Sequence, residues 1–262
     1  MITGGSQMDF FFDESKHPSR GGFVLGAFVG TEDNVAPAVS AALAAEGLVP
    51  GKDEYKSSSN MSAQPAQARV RERLRTVLSG GRIALVVLPC LDLPSLGEEA
   101  LSALKKLVAR YDWPTGTTHR VFFDQQVFPS QAAADQIIKA ALLPKEIQAY
   151  AEQDSRQVFG LQLADLASHT CAMMLLEQLG LVTKQVEASY PDEGKEPLGR
   201  ELWHSCRWGF FSKPPRTYGI DEPIDLSVQV SGYGLFISDR CSAALRDAAE
   251  ARFGEMYLGC TH

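Results

Sequence analysis

The sequence lacks the cysteine patterns that indicate a disulfide framework or a zinc site. Its five cysteines are scattered, odd in number and without a CxxC pair. We interpret them as reduced, buried thiols, which are typical of a cytoplasmic protein.

Long apolar runs and nucleotide loops are missing as well. No run approaches the roughly 20 apolar residues that span a bilayer, and the chain does not open with a basic segment followed by an apolar one. The sequence therefore predicts a cytoplasmic location and no membrane partner. It also has no Gly-rich loop of the P-loop or dinucleotide type, which argues against nucleotide hydrolysis and redox chemistry.

An excess of positive charge is the fourth absence. The net charge is −7, which argues against a broadly basic nucleic-acid-binding protein. A nuclease remains compatible with this value, because a metal site built from acids makes the total negative while a local basic stripe holds phosphate.

Strands and helices are predicted to alternate along most of the chain, which indicates an α/β domain with a partly parallel sheet. Short apolar runs predict strands over 9–13, 23–29, 83–88, 119–124 and 147–152. Helical spacing predicts helices over 35–45, 62–78 (with Ser62 as N-cap), 96–111, 130–142 and 161–179. After residue 182 the pattern weakens to one or two strands within 226–237 and a helix over 242–253.

Acids at the ends of apolar runs are the most informative feature. Asp13 and Asp124 each follow an apolar strand, and Asp165 interrupts an apolar, helix-forming segment, where an unpaired charge is costly. Sites in open α/β sheets gather at the carboxyl ends of strands. Asp13 and Asp124 are neighbours if their strands are adjacent, and Asp165 on the later helix can face them. Glu54 is a fourth candidate, supplied by a connecting segment.

Converging carboxylates repel each other unless cations neutralise them, and two Mg²⁺ or Mn²⁺ ions suit hard oxygen ligands and in-line phosphoryl transfer. Each acid also has a structural interpretation. Asp13 could belong to a turn and Asp124 could cap a loop. Glu54 could be a solvated surface acid, and free amides near a helix start would lower the cost of Asp165.

Several segments together resemble the family catalogued as domain of unknown function 3800. The resemblance spans roughly residues 8–180 and is carried by 11–15 with 23–27, by Glu54-Tyr55-Lys56, by 121–124, and by Asp154-Ser155 followed by 160–166. One departure is Lys16, where family members often have glycine. The family is placed with the ribonuclease H-like superfamily, which implies a mixed sheet flanked by helices.

The resemblance also implies a site. Carried over by position, the acidic set that holds two divalent metals is Asp13, Glu54, Asp124 and Asp165. The expected organisation is a ribonuclease H-like metal-dependent nuclease domain over 8–180. Residues 181–262 are then a C-terminal appendage of strands and a helix packed on the same domain.

Basic side chains near these acids are candidates for substrate binding. Lys16 follows Asp13, Lys56 follows Glu54, and Arg69 and Arg73 share one face of a predicted helix. The alternative for the arginines is a solvated helix face. His17 or His169 could assist proton transfer. The aromatic group of Trp203, Trp208, Phe210 and Phe211, with Arg207, could stack bases or pack in the core.

The leading hypothesis is therefore a Mg²⁺- or Mn²⁺-dependent nuclease that hydrolyses phosphodiesters of DNA or RNA. The alternative is a catalytically inactive ribonuclease H-like interaction module that acts through a protein partner. A homo-oligomer is left open. An aspartyl-phosphate phosphatase fits less well, because that chemistry usually has a second aspartate where Ser15 stands.

Overall fold

A computed structural model describes residues 7–110, 117–187, 194–206, 209–211, 228–231 and 234–258. The strands are β1 (Asp9–His17), β2 (Phe23–Thr31), β3 (Arg82–Pro89), β4 (His119–Asp124), β5 (Ile147–Gln153), β6 (Gln185–Glu187), β7 (Lys195–Pro197), β8 (Val228–Ser231), β9 (Leu235–Ile237) and β10 (Glu255–Leu258). The helices are α1 (Ala36–Ala44), α2 (Pro65–Leu78), α3 (Leu96–Val108), α4 (Gln131–Ala141), α5 (Gly160–Gln178), α6 (Leu198–Cys206) and α7 (Ala243–Phe253). Within these ranges, no helix is long and apolar enough to cross a membrane.

Six strands form one mixed sheet in the order β5-β4-β1-β2-β3-β9. The β2 strand runs antiparallel to both of its neighbours, whereas β1, β4 and β5 run parallel to each other. The carboxyl ends of β1, β4 and β5 therefore point to the same edge. The expected fold class, a mixed α/β sheet flanked by helices, is confirmed.

The two faces of the sheet bury separate cores. One core packs α1, α2, α5 and α7 against the face of β1 that carries Phe11. The other packs α3 and α4 against Phe10 and Phe12. This division follows from the two-residue period of a strand, which sends successive side chains to opposite faces.

Several boundaries differ from the sequence-based expectation, among them the end of β1 and the start of α2. The β1 strand continues to His17 rather than ending at Asp13, because β2 pairs with it through the hairpin as far as His17 and Phe23. The α2 helix begins at Pro65 and not at Ser62. The preceding residues form a turn in which the amides of Ala63 and Gln64 bond to the Asn60 carbonyl.

The C-terminal part of the chain joins the same sheet. The β9 strand extends it by pairing in parallel with β3, and α7 places Leu245 and Phe253 in the core around α5. The predicted helix over 242–253 is confirmed, with the Ser242 hydroxyl accepting a bond from the Leu245 amide. The division into 8–180 and 181–262 stays a prediction.

Candidate functional site

Asp13 and Asp124 lie side by side at the carboxyl edge of the sheet. The parallel pairing of β1 with β4 ends at Phe12 and Phe123, so each aspartate is the next residue on its strand. Both are largely buried, with 8% of each residue exposed. Asp13 therefore still pairs with β2, whereas the pairing of β1 with β4 ends one residue before it.

The start of α5 packs directly on β1 beside these acids. Gly160 has no side chain, and a Cβ at this position would overlap the ring of Phe11. This close approach lets the helix cross β1 two residues before Asp13. Asp165 and His169 are partly exposed on the helix, and the residues between them are buried. Their i,i+4 spacing places both on one face.

Asp165 is held by the segment that contains Glu54. The Ser57 amide donates to Oδ2 of Asp165 at 2.8 Å, and the Ser57 hydroxyl donates to Oδ1. These bonds lower the pKa of Asp165, but burial raises it by more, and the net pKa lies above the ordinary value. Asp165 therefore faces the connecting segment rather than capping its own helix.

Hydrogen bonds fix the segment 54–57 in place one residue at a time. The Tyr55 amide donates at 2.8 Å to the side-chain carbonyl of Gln162, which is fully buried. The Gln162 amide nitrogen in turn donates to the Ser155 carbonyl at 2.9 Å. The Ser155 hydroxyl donates to Oε2 of Glu54. Gln162 thus joins α5, the turn after β5 and the Glu54 segment.

The acids act on one another electrostatically. Burial raises the pKa of Asp13 well above its ordinary value, and the neighbouring carboxylates of Glu14, Asp165 and Asp124 raise it further. Burial also raises the pKa of Asp124 to about 6, although the positive charge of Lys56 opposes the rise. The four predicted acids are therefore brought into one cluster.

Lys56 supplies a positive charge inside this cluster. Its Nζ lies 3.5 Å from Oε2 of Glu54, and 41% of the side chain is exposed. Burial lowers the pKa of Lys56, but the carboxylates of Glu54, Asp124, Asp165 and Asp13 outweigh burial, so the net shift is upward. The predicted substrate-binding lysine therefore lies against the acids themselves.

The donor chemistry of the site fits a hard divalent cation. Four carboxylates supply oxygen atoms only, which suits a hard cation. Burial, followed by the neighbouring carboxylates, raises the pKa of Asp13. Asp13, Glu54, Asp124 and Asp165 are the residues that would hold the ion. As they stand, however, no three acid, histidine or cysteine side chains among the described residues are arranged to hold a metal ion. The carboxylates bond to Ser57, Ser155 and the Glu14 amide instead.

The other predicted cations pair with acids outside the predicted set of four. Lys16 Nζ lies 2.6 Å from Oε1 of Glu14. On α2, Arg69 and Arg73 both bond to Glu46, the latter at 2.9 Å. The structure does not bring these two arginines to the acidic cluster, and their role in binding substrate stays a prediction.

Two histidines lie on the same elements as the acids, His17 on β1 and His169 on α5. Burial lowers the pKa of His17 to about 4, and the neighbouring His169 and Arg20 lower it further. Burial likewise lowers the pKa of His169. The His17 ring nitrogen Nε2 is 3.0 Å from the Ser15 hydroxyl. Both rings are therefore neutral at pH 7, and His17 and Ser15 share a hydrogen bond on the strand that carries Asp13.

The structure decides between stacking and core packing for two of the aromatic residues proposed to stack bases. Phe210 and Phe211 are almost fully buried, one in each core, so core packing is the correct interpretation for them. The side chains of Trp203, Arg207 and Trp208 lie outside the described residues.

Four residues that shape this site are not among the predicted site residues: Ser57, Ser155, Gln162 and Glu14. Ser57 and Ser155 bond to carboxylates, and Gln162 joins three segments. Glu14 is on the opposite face of β1 from Asp13, with 6% of its side chain exposed. The clue for Gln162 was an uncharged amide three residues before Asp165 in an apolar helix. For Glu14 it was the Glu-x-Lys spacing within one strand, which places both side chains on one face.

Comparison with known proteins finds no matching family model and no matching curated protein. Solved structures of ribonucleases are similar in fold. Bst-RNase HIII in complex with Mn²⁺ is 13% identical, with a TM-score of 0.38, and the match covers 77% of this chain and 63% of that one. Ribonuclease H2 from Pyrococcus horikoshii is 15% identical, with a TM-score of 0.39, and the match covers 77% of this chain and 88% of that one.

RNase HII from Archaeoglobus fulgidus, in its complex with PCNA, is also 15% identical, with a TM-score of 0.39, and the match covers 82% of this chain and 98% of that one. These values describe a likeness of fold and carry no residue role, ligand or activity. The roles of the residues here rest on their own geometry.

Proposed function

We propose that this protein is a divalent-metal-dependent nuclease that hydrolyses phosphodiester bonds of DNA or RNA. The observation that carries the proposal is the convergence of Asp13, Asp124, Asp165 and Glu54 at one sheet edge, where burial and mutual repulsion raise the pKa of Asp13. The resemblance of the surrounding motifs to domain of unknown function 3800 is a second support. Mg²⁺ or Mn²⁺ bound there would neutralise phosphate charge and promote ionisation of the attacking water.

The chain itself positions the reacting groups. Asp13 and Asp124 stand on adjacent strands of a rigid sheet, which fixes their separation. The Ser57 and Ser155 hydroxyls orient Asp165 and Glu54. The Lys56 ammonium is exposed enough to meet a phosphate oxygen while it touches Glu54. Asp124 is partly protonated near pH 6 and ionised above it, so the acidic set gains charge as the pH rises towards 7.

The direct test replaces two buried acids. Asp13→Asn with Asp165→Asn is assayed on single- and double-stranded DNA and RNA in the presence of Mg²⁺ or Mn²⁺. We expect cleavage to fall by at least about 100-fold, because charge stabilisation of this kind is usually the largest catalytic term. The matched control is Asp135→Asn, since Asp135 is exposed on α4 and bonds to Gln131.

Unchanged cleavage in the double variant would contradict the proposal. Absence of cleavage by the unaltered chain would contradict it as well, and calorimetry then measures whether Mn²⁺ binds. Absence of both cleavage and Mn²⁺ binding leaves the alternative of an interaction module that acts through a protein partner.

A further inference from the structure

Lys56 differs from the other cations near the site in the number of acids that it faces. Lys16 pairs with Glu14, and Arg156 pairs with Asp154 at 2.8 Å. Lys56 instead contacts Glu54 and also feels the charges of Asp13, Asp124 and Asp165. A surface lysine usually remains extended in water, so a lysine directed into four carboxylates needs a specific cause.

The backbone supplies that cause. The Lys56 amide donates to the side-chain carbonyl of Gln67 at 3.1 Å, and the Gln67 amide nitrogen donates to the Glu54 carbonyl at 2.9 Å. On the next residue, Ser57 binds both oxygens of Asp165. These bonds hold the Lys56 backbone on both sides, and its side chain lies against Glu54.

The position of Lys56 changes the charge balance of the acidic cluster. Four carboxylates with two divalent ions would be neutral, and a fixed ammonium in their midst adds repulsion against each ion. We propose that Lys56 takes the place of one of the two cations, so that the site binds a single divalent ion per chain. This inference rests on the proposed function and specifies how its acids are neutralised.

The bonds of the individual acids agree with a single ion. Asp165 and Glu54 are the acids that bond to Ser57, Ser155 and Lys56. Asp13 and Asp124 are the pair on adjacent strands. Asp13 and Asp124 would therefore hold the single ion, and Lys56 would neutralise the side formed by Glu54 and Asp165.

The test counts bound Mn²⁺ on the full chain by calorimetry and by the electron paramagnetic resonance signal of free Mn²⁺. We expect one Mn²⁺ for the unaltered chain. Lys56→Gln and Lys56→Met should bind a second ion, or bind the first at least about tenfold more tightly, because the repelling charge is gone. Lys56→Arg retains the charge and should still bind one.

Lys52→Gln is the matched control. Lys52 is exposed four residues earlier in the same connection, so its replacement changes the net charge equally but removes no charge from the cluster. It should bind one Mn²⁺ with unchanged affinity. Thermal unfolding without metal verifies that each variant is folded. Two neutral substitutions are made so that the test still stands if one of them does not fold.

The outcomes separate this inference from the proposed function. Two Mn²⁺ on the unaltered chain, or neutral variants that bind as it does, overturn the role of Lys56 while acid-dependent cleavage would keep the nuclease. One Mn²⁺ on the unaltered chain and two on Lys56→Gln, without cleavage of any nucleic acid, support Lys56 and overturn the nuclease. No Mn²⁺ binding by the unaltered chain overturns both.

Discussion

On both faces of the sheet a helix glycine packs on a phenyl ring, but the two helices bury different kinds of residue. On one face, Gly160 of α5 packs on the ring of Phe11, and on the other, Gly97 of α3 packs on the ring of Phe128. The buried residues of α3 are all glycine, alanine or leucine. The α5 helix buries Gln162, Ser168 and Thr170 and holds Asp165 at its margin. Hydrophobic burial alone accounts for the buried residues of α3, whereas α5 also buries polar groups that need particular partners.

The largest expected difference between the faces is a pH dependence of stability at the acid edge. The folded-state pKa of Asp124 is about 6 against an ordinary value of 3.8. Between these values the folded chain binds more protons than the unfolded chain, so stability falls as the pH rises. A shift of this size corresponds to about 3 kcal/mol.

Asp124→Asn should therefore raise the free energy of unfolding of the metal-free chain at pH 7 by up to about 3 kcal/mol and flatten its pH dependence between pH 4 and 7. Urea unfolding with a chelator present measures both. Asp135→Asn, on the α3 and α4 side, should leave the pH profile as it is. A profile in Asp124→Asn as steep as in the unaltered chain would contradict the assigned pKa.

Replacing Gly160 or Gly97 is expected to give the next largest effect on stability. Gly160→Ala and Gly97→Ala each force a phenyl ring to move, and each should cost about 2 kcal/mol in stability, less a part regained from the better helix propensity of alanine. Manganese affinity distinguishes the faces. It should fall only in Gly160→Ala, because α5 carries Asp165. Equal manganese affinities in the two variants would show that the position of α5 does not control the site.

A smaller effect is expected from the buried amide on α5. Gln162→Leu leaves the Tyr55 amide and the Ser155 carbonyl without their side-chain partner, which should cost about 1.5 kcal/mol. The Glu54 segment also loses its anchor, so manganese should bind more weakly. Gln136→Leu, at an exposed position of α4, is the control. Denaturant unfolding and calorimetry report the two quantities, and unchanged metal affinity would remove Gln162 from the site.

The smallest effect belongs to the surface of α2. Arg69→Gln with Arg73→Gln should leave manganese affinity and melting temperature unchanged, because both arginines are exposed and pair with Glu46. Affinity for nucleic acid should fall by less than about tenfold, since Glu46 already offsets part of their charge. A salt titration of binding measures this. A larger loss with a shallower salt slope would place the arginines in the substrate path after all.

Much of the fold was predictable because local signals agreed with the tertiary structure. Strand β4 was predicted over 119–124 with both boundaries correct, since an apolar run there ends in an acid. The predicted ranges 130–142 and 242–253 start at Ser130 and Ser242, and in the structure the hydroxyls of these serines cap α4 and α7. Ser62 failed as a cap, because Pro65 and the turn at Asn60 set the start of α2. Propensity does not reveal such competition between neighbouring signals.

Asp13, Asp124 and Asp165 were predictable from the cost of charge in or beside apolar segments, whereas Glu54 completed the set through the family resemblance. The structure brings the four acids together. Their partners were not predictable. Ser57 stands in a run of three serines that looks like any polar loop, and its bonds to Asp165 depend on how the segment folds over α5. The central position of Lys56 has the same origin, because it depends on bonds to Gln67 and on acids from three other segments.

The parallel pairing of β9 with β3 has a consequence for synthesis. Strand β3 is apolar and buried, and β9 covers its outer edge. While the ribosome makes the residues between them, that edge has an unsatisfied row of amides and carbonyls, the kind of surface on which chains aggregate. A chain released after residue 180 keeps the four acids but leaves this edge bare. Together with residues 209–211, which bond to Ile83, β9 thus closes an edge that favours aggregation while it is exposed.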